Sequence, residues 1–466
     1  MIRIKLQILA LCFLMFLSTV SCSDNTVEKH TEGSRTAKSP EINQMSIYIS
    51  NDDAYVADVV RDYNLDNKDT PILVKNFTYN NSDEIKEVRN KVTAELMAGH
   101  GPDIIITYET LFPSIARAVN SEVFYDLNKL IDQDKEFKLS DYNQTVLDAG
   151  VINGKRYLMP LFYYIPSFWT TEKTLSKNNI SLNDSLNWSW SDFFSEANKF
   201  MQKNKEEEKY FVGYYFEPRF ILTEMCGDLV NVQSKKSSFN TPEFVEFLRN
   251  YKENIGSICP NNEMVKQKGY TYNYIKSGSL VFVNSVFSIH PALICNTNSM
   301  LLKGLNDNIV IINKPVLDKV FAKSAYSGYL AGINAKCKSK EKAFEFIKLM
   351  ISEKYQSDPD SQCAGTPVNL EAYKTAVNNC LRSDTLDQKA ASPWFLGLNA
   401  VDSVPLSDKV VKNIDDISGN ITSCNIIDYN IVQIAADGVT EYLNGKMSAE
   451  SAAKSINEKI LLYLNE

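Results

Sequence analysis

Polar side chains that could bind a small molecule stand directly after two of the predicted strands. Asp52 and Asp53 follow the first strand, and Tyr108 and Glu109 follow the third. Because open α/β sheets bind ligands at the carboxyl ends of their strands, we expect these four side chains to share one wall of a cleft. Carboxylates accept hydrogen bonds from hydroxyl groups, and a facing pair of carboxylates could also cleave a glycosidic bond. The pattern indicates a site for a polar ligand.

The elements that position these residues alternate between strand and helix. Apolar runs predict strands over residues 45–50, 71–77 and 104–106, with an amphipathic helix before the third strand. Ser82 is predicted to cap that helix, and Gly99 to end it in a left-handed conformation. The order β-α-β-α-β predicts an α/β fold with a mostly parallel sheet. Each acidic residue at a strand end, taken alone, could instead be a turn or cap residue.

The chain offers little material for other kinds of chemistry. Only three histidines occur, and we find no nucleophile elbow, phosphate loop or His-Glu-x-x-His motif. The cysteines are widely spaced without Cys-x-x-Cys, which favours buried thiols, with one or two disulfides possible, over a metal site. The net charge of −8 argues against nucleic acid as a partner, because phosphate binding needs a basic surface. We expect neither metal nor cofactor.

The N-terminus has the pattern of an export signal. Basic residues precede a short apolar run, and small residues precede Cys22. This pattern resembles a lipoprotein signal peptide over residues 1–21, so that Cys22 would become the lipidated N-terminus. The polar stretch 22–45 lacks an apolar period and is predicted to be a flexible tether. We therefore expect an exported protein held to the outer face of the cell membrane by lipid.

Several stretches resemble one protein family, in the same order along the chain. They are Glu-Leu-Met-Ala-Gly-x-Gly-Pro-Asp-Ile-Ile at 95–105, Asn-Gly-Lys-x-Tyr-x-x-Pro at 153–160, Gly-Ile-Asn-Ala at 332–335 and an Asn-Gly-Lys turn at 444–446. The chain thereby resembles the extracellular solute-binding proteins of ABC importers, of the maltose-binding-protein-like, sugar-binding type (family 1).

The resemblance also implies positions for the ligand. Glu217-Pro-Arg-Phe220 is similar to a stretch of the family in which a tyrosine contacts sugar, and Arg219 takes the place of that tyrosine. An arginine there would suit a polar or acidic sugar. Asn284 matches a family position, and Phe287 stands where the family has an aromatic floor for the sugar. The further ligand-binding positions expected, by resemblance or by placement on a loop, are Tyr164, Trp169, Arg219, Asn284, Phe287 and Trp394.

The fold implied by the resemblance is an α/β, two-lobe periplasmic-binding-protein-like fold of type II, with a ligand cleft between lobes joined by hinge crossings. We expect lobe 1 to comprise residues 46–160 and 328–380, and lobe 2 to comprise 161–327 and 381–466. The function implied is capture of a sugar or oligosaccharide by hinge closure, without catalysis, and delivery to an ABC permease. The protein is expected to act as a monomer.

Two other functions remain open from the residues alone. A secreted glycoside-acting enzyme would require two carboxylates roughly 5 to 10 Å apart across the cleft. A surface-attached carbohydrate-binding adhesin would use the lobes as structural supports, and a cleft without aromatic lining would favour it.

Overall fold

The structure is a computed structural model. It describes residues 44–50, 53–79, 81–107, 114–180, 188–205, 207–213, 216–261, 270–285, 291–317, 324–357, 365–382, 389–390, 401–419 and 421–465. The predicted signal peptide lies outside the described residues, as do Cys22, Asp52, Tyr108, Glu109, Phe287 and Trp394. Within the described ranges, no helix combines the length and apolar character needed to cross a membrane.

The strands are short, and most of them lie in two sheets. They are β1 (Met45–Ser50), β2 (Ile72–Phe77), β3 (Ile104–Thr107), β4 (Val151–Ile152), β5 (Lys155–Arg156), β6 (Met159–Pro160), β7 (Phe162–Tyr163), β8 (Ser167–Thr171), β9 (Tyr210–Gly213), β10 (Val230–Asn231), β11 (Lys236–Ser237), β12 (Leu280–Ser285), β13 (Ile309–Asn313), β14 (Ser324–Ser327), β15 (Leu330–Ile333), β16 (Thr366–Pro367), β17 (Lys389–Ala390), β18 (Val401–Asp402) and β19 (Ser423–Ile426).

The helices cover both sheets. They are α1 (Ala54–Asp66), α2 (Ser82–Met97), α3 (Ile115–Asn120), α4 (Asn128–Ile131), α5 (Gln144–Leu147), α6 (Glu172–Lys177), α7 (Trp190–Lys203), α8 (Pro218–Leu229), α9 (Pro242–Ile258), α10 (Tyr270–Ser277), α11 (Pro291–Leu305), α12 (Lys340–Met350), α13 (Glu353–Gln356), α14 (Leu370–Leu381), α15 (Asp408–Ser418), α16 (Tyr429–Leu443) and α17 (Ala449–Asn465). Single 3₁₀ turns occupy Leu139–Asp141 and Asp148–Gly150.

The first sheet has five strands in the order β2-β1-β3-β15-β6. β1 pairs in parallel with both β2 and β3, as the β-α-β-α-β pattern predicts. β15 returns antiparallel to β3, with Leu330 opposite Thr107. All four residues of β3 are buried, because helices cover both faces of this sheet. We call this sheet with α1, α2, α3 and α12 the first lobe.

The second sheet has four strands in the order β13-β8-β12-β9. β12 is parallel to β9 and antiparallel to β8, and β13 is also antiparallel to β8. The carboxyl ends of β9, β12 and β13 therefore meet at the same edge, next to the start of β8. We call this sheet with α7, α8, α9, α11, α15, α16 and α17 the second lobe.

The segments that join the two sheets lie side by side. β14 leads from the second sheet to β15 of the first, and it pairs in parallel with β19. Tyr164, just before β8, forms an isolated bridge with Tyr326 of β14. Chain crossings that are paired in this way form the narrow connection expected of a hinge, since few backbone dihedrals need to change when two sheets rotate about it. The lobe boundaries expected from the sequence remain a prediction.

Alternate residues of β8 enter two different parts of the core. Phe168 is fully buried among the rings of Trp188, Phe193 and Phe282. Trp169 points to the opposite face, because successive side chains of a strand alternate. Both faces of the second sheet are thus packed with apolar side chains. The six cysteines among the described residues carry free thiols, four of them buried.

One local prediction needs correction. Asn81, not Ser82, caps α2, because the Asn81 side-chain oxygen accepts hydrogen bonds from the backbone N–H groups of Asp83 and Glu84 at 3.1 and 3.0 Å. The residues from Tyr274 to Ser277 complete α10, and β12 begins just after Gly278. Arg219 lies in the first turn of α8, where Pro218 is favourable because it needs no hydrogen-bond partner for a backbone N–H. The predicted left-handed stop at Gly99 is confirmed by its φ of 75°.

Candidate functional site

The carboxyl ends of the first-lobe strands form a rim that carries one of the predicted residues. Asp53, which follows β1, caps α1 and accepts a hydrogen bond from the Val56 backbone N–H at 2.8 Å. Its other carboxylate oxygen accepts from the hydroxyl of Tyr329, which lies between β14 and β15. Asp53 therefore joins the rim to the chain crossing, and its role in ligand binding remains a prediction.

Tyr164 lies on the crossing itself. Its ring stacks on that of Tyr326, with centroids 5.4 Å apart and an interplanar angle of 23°. Tyr164 is half-buried, so part of its ring is accessible next to the hinge. Stacked rings on two paired crossings restrict how the connection can bend. Contact of Tyr164 with ligand remains a prediction.

Trp169 and Asn284 lie inside the second lobe. Trp169 is 3% exposed and Asn284 is fully buried. They belong to neighbouring strands, where Asn284 is opposite Phe168 and Trp169 is opposite Val283. Burial within a sheet covered on both faces is typical of a structural role, so the ligand-binding role predicted for these two residues gains no support from their positions.

Arg219 stands at the beginning of α8, six residues after β9 ends. Its guanidinium carbon lies 4.9 Å from the ring centroid of Tyr429, the first residue of α16. The Arg219 side chain is exposed and the Tyr429 side chain is half-buried. A cation over the face of a tyrosine ring is attracted by the electron-rich face. The two side chains together form a charged aromatic surface on the second lobe.

A residue of the first lobe reaches the same ring. The guanidinium carbon of Arg89, on α2, lies 5.4 Å from the ring centroid of Tyr429. Burial lowers the pKa of Arg89, the charge of Asp428 opposes that shift, and the like charge of Arg219 adds to it. Tyr79, two residues after β2, also acts electrostatically on Arg89. The cluster therefore lies beside strand ends of both lobes, where open α/β sheets bind their ligands.

Asp428, the residue before Tyr429, forms several hydrogen bonds beside this cluster. It caps α16 by accepting a hydrogen bond from the Asn430 backbone N–H at 3.0 Å. The hydroxyl of Tyr463, near the end of α17, donates to its carboxylate, and the Ser114 hydroxyl lies 3.4 Å from Oδ2. Burial raises the pKa of Asp428, although these hydrogen bonds oppose the shift. Since Ser114 caps α3 of the first lobe, Asp428 takes part in a direct contact between the lobes.

Two openings flank this contact. A groove of about 480 Å³ runs between α2 and α3 and reaches Asn430. A larger cavity of about 790 Å³ lies along β19, between α8, the β10–β11 hairpin and the first lobe. Gln233 of that hairpin lines the larger cavity and donates to the carbonyl oxygen of Val151 at 2.7 Å. Both openings are of the size that small ligands require.

Of the predicted residues that the structure describes, only Arg219 belongs to the cluster on Tyr429. Sequence reasoning missed Arg89, Ser114, Asp428, Tyr429 and Tyr463. Asp428 before a long apolar-periodic helix is a recognisable cap signal. The pairing of Arg89 with a residue 340 positions later has no signal in the sequence.

Comparison with known proteins identifies relatives of the chain. The family described as bacterial extracellular solute-binding protein matches residues 59–380. No curated protein sequence matches the chain significantly. Solved structures that resemble it include the sugar-binding protein MalE from Xanthomonas citri, with 13% identity, a TM-score of 0.62, and coverage of 91% of this chain and 97% of that one.

Two further structures resemble the chain to a similar degree. One is the ABC substrate-binding protein Lmo0181 from Listeria monocytogenes in complex with cycloalternan, with 14% identity, a TM-score of 0.59, and coverage of 91% and 99% of the two chains. The other is maltose-bound MalE3 of T. maritima, with 16% identity, a TM-score of 0.58, and coverage of 90% and 99%. At such identities the likeness establishes the fold, the periplasmic-binding-protein fold with two mixed sheets.

Proposed function

The chain belongs to the bacterial extracellular solute-binding protein family, and we propose that its solute is a sugar or oligosaccharide, enclosed between the lobes and delivered to an ABC permease. Members of this family are binding receptors rather than enzymes, which argues against the alternative of a secreted glycoside-acting enzyme. Ligand capture then depends on surfaces of both lobes, which the Tyr429 cluster provides.

The observation that carries the proposal is the meeting of Arg219 and Tyr429 with Arg89 beside the strand ends of the two lobes. An aromatic ring can pack against the C–H face of a pyranose, while guanidinium groups donate hydrogen bonds to its oxygens. The ligands named for the similar structures, cycloalternan and maltose, are saccharides and support this class of solute.

Hinge closure is the mechanism that fits this arrangement. β14, β19 and the Tyr164–Tyr326 stack would act as the hinge, and the Ser114–Asp428–Tyr463 hydrogen bonds would hold the lobes together. A ligand shifts the balance between open and closed forms only as far as it binds the closed form more tightly. Arg89 of the first lobe and Arg219 and Tyr429 of the second would supply this difference in affinity between the closed and open forms, because they would surround the ligand together only when the lobes close.

We further propose that the mature protein begins at a lipidated Cys22 and is tethered outside the cell by residues 22–45. Its support is the basic, apolar and small-residue order before Cys22. Cells making the wild-type protein in the presence of a labelled fatty acid should yield a labelled protein in the membrane fraction. Cys22→Ser should remove the label, and a labelled Cys22→Ser protein would contradict the proposal.

The test of solute binding is calorimetric titration of the mature chain carrying Cys22→Ser against neutral and acidic mono- and oligosaccharides. We expect saturable binding with the sugar recovered unchanged. Tyr429→Leu should weaken binding by about tenfold or more, because it removes the ring that joins the two lobes. Tyr125→Leu is the matched control, since Tyr125 also lies beneath two cations, Lys129 and Lys340, but far from the strand ends of the second lobe. No binding across the panel would reject the proposal.

A further inference from the structure

The surroundings of Tyr429 are rich in guanidinium groups contributed by both lobes. Arg89 and Arg219 lie 5.4 and 4.9 Å from its ring centroid. A third guanidinium, that of Arg117 on α3, lies 5.4 Å from the ring of Tyr463, whose hydroxyl is bonded to Asp428 beside Tyr429. Three positive charges thus surround one short stretch of lobe contact. This arrangement stands in a protein whose overall charge is −8.

From this geometry we infer that the solute carries an anionic group, a carboxylate or sulfate on a saccharide, and that Arg89 and Arg219 bind this group together on the Tyr429 ring. The inference rests on the proposed function and names the chemical class of its solute. Planar guanidinium groups donate paired hydrogen bonds to carboxylates and sulfates, which is why arginine is suited to such groups.

Asp428, which acts electrostatically on Arg89, is already engaged in several hydrogen bonds. Asp428 accepts hydrogen bonds from the Tyr463 hydroxyl and from the backbone at the start of α16, and the Ser114 hydroxyl lies beside it. Burial favours its uncharged form and so raises its pKa. A carboxyl group in this condition neutralises the neighbouring guanidinium groups less well than an exposed carboxylate would.

The two arginines also repel each other. Arg89 belongs to the first lobe and Arg219 to the second, so their like charges approach only as the lobes close, and the charge of Arg219 lowers the pKa of Arg89. An anion between them would replace repulsion by two attractions. Such a ligand would bind the closed form better than the open form, which is the condition for ligand-driven closure.

The test compares each neutral saccharide with its acidic counterpart of the same length, using the mature chain with Cys22→Ser. Suitable pairs are galactose with galacturonate, galactotriose with trigalacturonate, and galactose with galactose 6-sulfate. We expect the acidic member to bind at least about tenfold more tightly in the pair that fits the site. We also expect this preference to weaken as salt rises, since exposed charges are screened.

The variants Arg219→Gln and Arg89→Gln should each abolish the preference for the acidic member while leaving the protein folded. Arg249→Gln is the control, because Arg249 is an exposed arginine of the second lobe that pairs with Glu450 on α17. As a second probe, inorganic sulfate should raise the melting temperature of the wild type and of Arg249→Gln more than that of Arg219→Gln or Arg89→Gln.

The outcomes separate the inference from the proposed function. Neutral saccharides bound as tightly as acidic ones would overturn the inference and leave the proposed function standing. A preference for acidic saccharides, or a stabilisation by sulfate, that persists in both Arg219→Gln and Arg89→Gln would also overturn it. Absence of binding to every saccharide would reject the proposed function, and the inference with it.

Discussion

The hydroxyl of Tyr463 lies 2.9 Å from Oδ2 and 3.1 Å from Oδ1 of Asp428. These residues are 35 positions apart, near the end of α17 and just before α16, and both belong to the second lobe. The same hydroxyl shares a hydrogen bond with Ser114 of the first lobe. The end of the chain therefore bridges the two lobes through a single phenol, and it does so beside the ring of Tyr429.

Tyr463→Phe tests this bridge. The ring is retained but Asp428 and Ser114 lose a hydrogen-bond partner, so we expect the free energy of unfolding to fall by about 1 to 2 kcal/mol. The closed form should also become less populated, which small-angle scattering would show as a larger radius of gyration. Tyr442→Phe is the control, because Tyr442 lies on α16 beneath Lys252, away from Ser114. An unchanged radius with unchanged stability would mean that the bridge contributes nothing.

Asp428→Asn should change how stability depends on pH. The folded-state pKa of Asp428 is raised above its ordinary value of 3.8, mainly by burial. Its contribution to stability is therefore fully present below about pH 4 and is lost as pH rises through the raised value. Asparagine also caps helices and does not titrate, so the variant should gain stability relative to wild type as pH rises, by about 1.4 kcal/mol for each unit of the shift.

Other buried carboxyl groups, such as Asp228 and Glu224, also have pKa values raised by burial. Their contributions to the pH dependence of stability cancel when Asp428→Asn is compared with wild type. Arg89 faces Asp428 and favours its ionised form, which limits the effect. Urea unfolding of both proteins from pH 4 to 8 measures the difference. A difference that stays constant over this range would show that Asp428 has an ordinary pKa.

Glu224 of α8 and Lys314, just after β13, form a buried ion pair in the second lobe. Their side chains are 7% and 4% exposed, and burial raises the pKa of the carboxyl group and lowers that of the amine, while each charge opposes the shift of the other. Lys314→Met leaves a buried carboxyl group without its ammonium partner and should cost about 3 to 5 kcal/mol. Adding Glu224→Leu should recover most of that loss, because an apolar pair of similar size has no charge to desolvate.

Denaturant unfolding of the two single variants and the double variant forms the cycle that measures this coupling. Asp58→Asn serves as the control for an exposed pair, since it removes the partner of Arg61 at the surface and should cost less than about 1 kcal/mol. A double variant as unstable as Lys314→Met alone would contradict the explanation.

Substitutions of Trp169 distinguish a structural role in the core from a role in ligand binding. If its indole only fills the core between Val283 and Ile311, Trp169→Ala should lower the free energy of unfolding by about 3 to 5 kcal/mol. Trp169→Phe should cost less, and its saccharide affinity, measured calorimetrically well below the melting temperature, should equal that of wild type. Weaker binding by a Trp169→Phe protein of normal stability would restore Trp169 to the ligand site.

Much of the first lobe was predictable because its signals are local. The β-α-β-α-β order, the fully apolar β3 and the left-handed Gly99 follow from neighbours a few residues apart. The choice of Asn81 over Ser82 as cap was not predictable, since both side chains can cap and the difference is one residue of register.

Some features of the candidate site were likewise predictable from the sequence, and others were not. The amino-acid sequence by itself determined the α/β fold class, the resemblance to one family and the place of Arg219 near a strand end, because each is encoded in a short stretch. Only the tertiary structure brought Arg89 and Arg219 to the ring of Tyr429 and buried Asp428 beneath Tyr463 and Ser114. These contacts join residues up to 349 positions apart, and their formation depends on how two sheets pack about a hinge rather than on any local preference.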